Sequence, residues 1–372
     1  MKRFAIAAGA GLLLLAASGA FQSANAHGHL LPLGDGHLSD APRVGYLFDC
    51  QTTFNTQRAV HGGPWIKGDE WDPDQKPVVE GDVAWPDSSV SVTIEDGKRI
   101  IRANNLPQHH TGIFPIQAGD PAYQYDHNPN AIRAQQILLT LPVNPALAAR
   151  PSCVPMGMIG FALDGVAIYN AADAAGRDAV AHEVQDRCHG HPQHAGQYHY
   201  HGPSPCMPNE MTSGLVGYAL DGFGIYGMKD PATGRILHNR DLDACHGTTG
   251  TVMWNGKPTR IYHYVLTEEY PYTIGCFRGS VDPALLQHGH VRMQQRDMNR
   301  GPMRGPPQGD RETVLANAAA ALGVSVAQLR DALGPPPPDF RHAAQELGVS
   351  EAKLRDAMRE AREQAGNVRP PL

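Results

Sequence analysis

Apolar and polar residues alternate along Val90-Ser-Val-Thr-Ile94, and after Glu95-Asp96-Gly97-Lys98 a second such run, Arg99-Ile-Ile-Arg102, comes back. Two strands around an Asp-Gly turn predict a β-hairpin. Ile137-Leu-Leu-Thr-Leu141 reads as another strand, stopped by Pro142. Two apolar stretches further on are nearly the same text: Ile159-Gly-Phe-Ala-Leu-Asp-Gly-Val-Ala-Ile-Tyr169 returns as Val216-Gly-Tyr-Ala-Leu-Asp-Gly-Phe-Gly-Ile-Tyr226. Each is broken by an Asp-Gly pair, Asp164-Gly165 or Asp221-Gly222, which reads as turn chemistry rather than metal ligation. Cys188-His189-Gly190 returns 57 residues later as Cys245-His246-Gly247, and the copies end in Tyr198-His199-Tyr200-His201 and Tyr262-His263-Tyr264-Val265. The repetition predicts an internal two-copy duplication, with units at about 156–206 and 213–279, inside a β-rich domain covering 27–285.

From about residue 286 to 310 the text turns to Gln, Arg, Met, Gly and Pro, with too few large apolar residues to fold alone, and reads as a linker. A helical repeat then occupies 311–365: Ala319-Ala-Ala-Leu-Gly-Val-Ser-Val-Ala-Gln-Leu-Arg-Asp-Ala-Leu333 recurs as Ala344-Gln-Glu-Leu-Gly-Val-Ser-Glu-Ala-Lys-Leu-Arg-Asp-Ala-Met358. Gly323 and Gly348 read as helix C-terminal caps, Ser325 and Ser350 as the next N-caps, and Ser325 with Gln328 as a capping box. Pro335 to Pro338 form a stiff spacer. The fold class expected is a mainly β (β-rich α+β) domain with a small all-α tail, the tail being either a contact to a protein partner or a plain appendage.

Residues 1–26 resemble a secretory signal: Lys2 and Arg3, an apolar run from Phe4 to Ala17, then Ala24-Asn25-Ala26. The apolar run is shorter than the roughly 20 residues that span a bilayer, so the expectation is an exported, periplasmic or secreted product with no membrane span. Six cysteines in an oxidising compartment read as three disulfides. Repeat symmetry favours Cys188 with Cys206 and Cys245 with Cys276, leaving Cys50 for Cys153, although six cysteines allow fifteen connectivities. The net charge of −6 and the lack of a basic stripe interleaved with aromatics exclude nucleic acid as the expected partner.

Nineteen histidines are the main anomaly of composition, with clusters at His27/His29, His189/His191/His194, His199/His201 and His288/His290. Imidazole is the commonest metal ligand at neutral pH. If cleavage follows Ala26, His27-Gly28-His29 can close a four-nitrogen ring around Cu(II) or Ni(II). In an extended segment Tyr198 and Tyr200 share one side while His199 and His201 share the other, roughly 6.5 to 7 Å apart, close enough to meet one ion. If the two copies pack about a pseudo-twofold axis, His189, His199, His246 and His263 converge. The competing reading satisfies these histidines with backbone carbonyls. Met156, Met158, Met293, Met298 and Met303 add soft donors that suit Cu(I). Glu183 reads first as a solvated charge on a strand end and second as an acid or base near the histidine cluster. No zinc-protease helix, nucleophile elbow, phosphate loop or dinucleotide fingerprint appears.

Asp186-Arg-Cys-His-Gly-His-Pro-Gln-His-Ala-Gly-Gln-Tyr-His-Tyr-His201, Leu242-Asp-Ala-Cys-His-Gly247 and the segment from Tyr262 to Gly279 together resemble the YHYH-domain proteins over roughly residues 80 to 280. The resemblance implies one disulfide-containing exported unit and brings no established activity. Val265 departs from the tetrapeptide. The expected function is metal binding, copper sequestration or relay first, through His189, His191, His194, His199, His201, His246 and His263, with His27 and His29 at the amino terminus. Zinc, or no cofactor, are the alternatives. A metal-free module stapled by Cys50, Cys153, Cys188, Cys206, Cys245 and Cys276 stands second, and a metal-dependent enzyme of unknown substrate third.

Overall fold

The computed structural model describes residues 30–51, 53–55, 61–286, 308–333 and 340–366. The signal-like segment, His27, His29, His288, His290, the linker methionines and Pro335 to Pro338 lie outside the described residues.

The hairpin forms as the alternation predicts: Val90–Glu95 pairs antiparallel with Lys98–Ala103, and Glu95 faces Lys98 across a two-residue turn. Asp96 and Gly97 both take positive φ, 48° and 72°, the conformations a tight turn needs to match the twist of its strands. Ile137–Pro142 adds a third strand beyond Lys98–Ala103. Its alternation buries Ile137, Leu139 and Leu141 in the main core.

Eight further strands make the sheet that positions the site: β1 Met158–Ala162, β2 Ala167–Tyr169, β3 Gly190–Pro192, β4 Tyr198–Tyr200, β5 Leu215–Ala219, β6 Gly224–Tyr226, β7 Gly247–Trp254 and β8 Lys257–Val265. Their order is β3-β4-β2-β1-β5-β6-β8-β7. Outward from the antiparallel β1–β5 pair, each side runs through the same pairings, antiparallel, parallel, antiparallel. At the junction Gly217 pairs with Ala162 and Gly160 with Ala219. A Cβ on Gly217 would lie 2.4 Å from the Phe161 carbonyl oxygen, so β1 and β5 approach this closely only because the side chain is a hydrogen.

The disulfides join Cys50 to Cys153, Cys188 to Cys206 and Cys245 to Cys276, the pairing that repeat symmetry favours. They suit an oxidising compartment. Among the described residues no helix is long and apolar enough to cross a membrane.

A second compact unit holds four helices, Gln308–Leu322, Val326–Leu333, Phe340–Glu346 and Glu351–Gly366. Gly323 and Gly348 take φ of 73° and 64° after the first and third. The capping box closes both ways: the Gln328 amide donates to Ser325 Oγ at 3.2 Å, and the Ser325 amide to Gln328 Oε1 at 2.9 Å. Leu315, Leu322, Leu329 and Leu354 fill this unit's own core. Ser325→Ala is expected to cost about 1 kcal/mol of helix stability, read as roughly five-fold faster exchange of the Val326–Leu333 amides.

Candidate metal centre

The tyrosines and histidines of β4 have separate tasks, divided by the alternation of a strand. Tyr198 donates to both Asp186 carboxylate oxygens at 2.9 Å, and Tyr200 to Asp164 Oδ2 at 2.8 Å. The same carboxylates accept turn amides, Cys188 N on Asp186 and Val166 N on Asp164. In β8, Tyr262 donates to Asp243 at 3.0 Å and Tyr264 to Asp221 at 2.5 Å. The Asp-Gly turns are therefore turn chemistry as read, with a second duty of seating tyrosine hydroxyls. Burial raises Asp164 to about 6, although Tyr200 works the other way.

With both tyrosines held on one side, His199 and His201 must project from the other. The antiparallel β3–β4 pair sets His191 directly across from His199. Glu183 arrives from the end of a short helix, Ala179–His182, whose N-cap Asp178 accepts from Val180 N and Ala181 N. Asp178 also accepts from Gly34 N at 2.9 Å and Tyr272 Oη at 2.7 Å, which fixes the helix and with it Glu183.

Four side chains meet there. His199 Nε2 lies 3.0 Å from His201 Nε2, and Glu183 Oε2 lies 3.1 Å from His191 Nε2 and 3.0 Å from His201 Nε2. All three histidines are buried, and their ligand atoms fall within 4.8 Å of one another. Glu183 Oε2 and both ring nitrogens of His191 are buried and have no hydrogen-bond partner, so they are close without being aligned as donor and acceptor. Donors about 2.1 Å from a shared ion stand about 3.0 Å apart at right angles and about 3.4 Å apart at tetrahedral angles, so the separations fit such an ion.

Electrostatics points the same way. His199 Nδ1 donates to the Gln197 carbonyl at 3.1 Å, and His201 Nδ1 to the Asn170 carbonyl at 2.5 Å. Each neutral ring then carries its lone pair on Nε2, and the two lone pairs face each other and a carboxylate. A cation between them, a proton or a metal ion, relieves this. Burial, reinforced by His191 and His201, holds His199 well below its ordinary value. Burial opposes the charge on Glu183, but His201 and His191 outweigh it and keep the carboxyl well below 4.5. His201 is raised, since Glu183 outweighs the effect of burial. Tyr169 stacks on His199 with centroids 3.8 Å apart and donates to Gln197 Oε1 at 2.5 Å, locking the ring. The cluster opens on a cleft of about 760 Å³ that Met156, Tyr169 and Pro192 also line.

The other expected ligands lie elsewhere. His194 is exposed and lines the same cleft outside the trio. His189 donates Nδ1 to the Pro203 carbonyl at 2.9 Å. His246 is buried against Thr267 Oγ1 at 3.0 Å, and burial pushes it down to about 3. His263 donates to the Ile261 carbonyl at 3.2 Å and packs edge-on to Tyr226. The convergence of His189, His199, His246 and His263 does not occur. In the sheet order β4 and β8 are five strand spacings apart, about 24 Å at roughly 4.8 Å each. A second grouping, His109 with Cys188 and Cys206, offers no thiolate because the two sulfurs are bonded.

Glu183 takes the second of its two readings: it is no solvated strand-end charge but a carboxylate beside the histidine cluster. A signal was present in the repeat. At the 57-residue offset Glu183 corresponds to Arg240 and His191 to Thr248, and the end of the motif replaces His201 by Val265, so three of the four converging residues change together.

The family described as YHYH protein matches residues 136–236, which include all four converging residues. No curated protein and no solved structure matches the chain.

Proposed function

We propose, for a chain that carries a YHYH-family domain over residues 136–236, that this domain binds one divalent transition-metal ion between His191, His199, His201 and Glu183. The observation that supports it most is the facing pair of Nε2 atoms at 3.0 Å, on rings whose Nδ1 protons are already given to carbonyls. Main-chain acceptors that fix the tautomer in this way are the usual outer support of a metal-binding histidine. Three imidazoles and a carboxylate suit Cu(II) and Zn(II), and copper binds such donors more tightly. The role is exported copper sequestration or relay, with zinc as the ion where copper is scarce. The three disulfides and the signal-like first 26 residues support export.

Titrating the metal-free full chain with Cu(II) and Zn(II) tests this: one equivalent is expected to bind, and Glu183→Gln is expected to weaken it at least 10-fold. Unchanged affinity in that variant sinks the reading.

The pH dependence has a definite sign. Without metal, the depressed Glu183 contributes stability above 4.5 and loses it as pH falls through its folded value. The raised His201 contributes below 6.5 and loses it as pH rises through its folded value. The pair therefore supports the metal-free fold best between 4.5 and 6.5, and protons compete with metal over that range. The rise in melting temperature on adding Zn(II) is expected to be larger at about pH 8 than at about pH 6, as differential scanning fluorimetry can check.

A further inference from the structure

An ion and its waters fill little of a cleft of about 760 Å³, since one water takes roughly 30 Å³, whereas small-molecule sites run from about 300 to 1,000 Å³. We infer that the cleft binds a small organic monoanion, its oxygen-donor head on the metal and its apolar body against Met156, Tyr169 and Pro192. This rests on the metal reading above and adds the ligand class. The protein donors come from β3, β4 and the helix end, and the three separations of 3.0 to 3.1 Å would suit neighbouring ligands of one ion, whose cleft side would then be left for a bidentate head. A divalent ion with one carboxylate keeps a single positive charge, which a monoanion neutralises.

The cleft also carries the carboxylates of Asp173, paired with Arg177, and Asp126, beside His61, but the face made by Met156, Tyr169 and Pro192 is apolar because its polar atoms are in use. Tyr169 Oη is held by Gln197. Met156 Sδ accepts from Asn170 Nδ2 at 3.4 Å. The Pro192 carbonyl accepts from Asn128 Nδ2 at 3.1 Å and Asn130 Nδ2 at 3.3 Å. These bonds also fix the wall in place, so an apolar body enters without ordering it.

The test loads the full chain with Co(II) and follows its visible spectrum during titration with acetohydroxamic and benzohydroxamic acid. Both are expected to shift the cobalt bands, and the phenyl compound is expected to bind at least 10-fold more tightly. Ala174, an exposed turn residue that lines the cleft, provides the control: Ala174→Trp is expected to keep cobalt uptake and erase the phenyl preference. Equal affinities, an unshifted spectrum in cobalt-loaded protein, or a preference that survives Ala174→Trp overturns the ligand site alone. Failure to take up cobalt at all overturns the metal reading with it.

Discussion

Changing His199 and His201 together to alanine is expected to lower metal affinity at least 100-fold, a floor set by the 10- to 100-fold that loss of outer support alone costs, while circular dichroism stays that of the folded chain. The reason lies in the division of labour along β4. The imidazoles hang from the sheet face that opens on the cleft; without them the metal-free protein loses the Tyr169 stack on His199 and the His201–Glu183 ion pair, but the tyrosine–carboxylate bonds that anchor the strand stay in place. The tyrosines carry the opposite expectation. Tyr200→Phe keeps all four donors but removes the hydroxyl that satisfies Asp164 Oδ2, a buried acceptor, at a cost of about 1–3 kcal/mol. Metal titration should therefore separate the two variants: the double-histidine variant loses binding, whereas Tyr200→Phe keeps it and shows its loss in chemical denaturation. A motif with a single role would give variants that change both together.

Removing the Cys50–Cys153 bridge, by alanine at both positions, is expected to destabilise the β-rich unit by about 4–5 kcal/mol, the chain-entropy value for a loop of about 100 residues. The bridge spans 103 residues and encloses the hairpin and its third strand. The other two close only 18 and 31 residues, so the same model gives each a smaller contribution, about 3–4 kcal/mol. Urea denaturation of the two-alanine variant checks it, and a loss under about 1 kcal/mol would show that the unfolded chain is already compact across this loop.

The hairpin, the third strand and the helix caps were legible because each is a local signal, and the repeat favoured two of the three disulfides, with Cys50–Cys153 left as the remainder. The Asp96-Gly97 turn and the Ser325 capping box depend on neighbours a few residues away. His199 and His201 were legible for the same reason, since the period of a strand puts them on one side. His191 was named, but its place opposite His199 depends on the β3–β4 register. What the text ranked second was the partner of the trio. Glu183 comes from a helix of four residues, too short for a periodic signature, and is brought in by a cap that Gly34 and Tyr272 hold from far along the chain. The four-histidine convergence failed because the second motif strand lies at the other end of the same sheet, a matter of strand order that no local pattern encodes.

The most direct measurement is the metal content of the full chain by elemental analysis, together with X-ray absorption at the edge of the ion found. The account predicts one equivalent of divalent metal per chain with a first shell of three imidazole nitrogens and carboxylate oxygen. A protein that stays metal-free after exposure to copper and zinc, or an ion whose shell is unchanged by His199→Ala with His201→Ala, would contradict it.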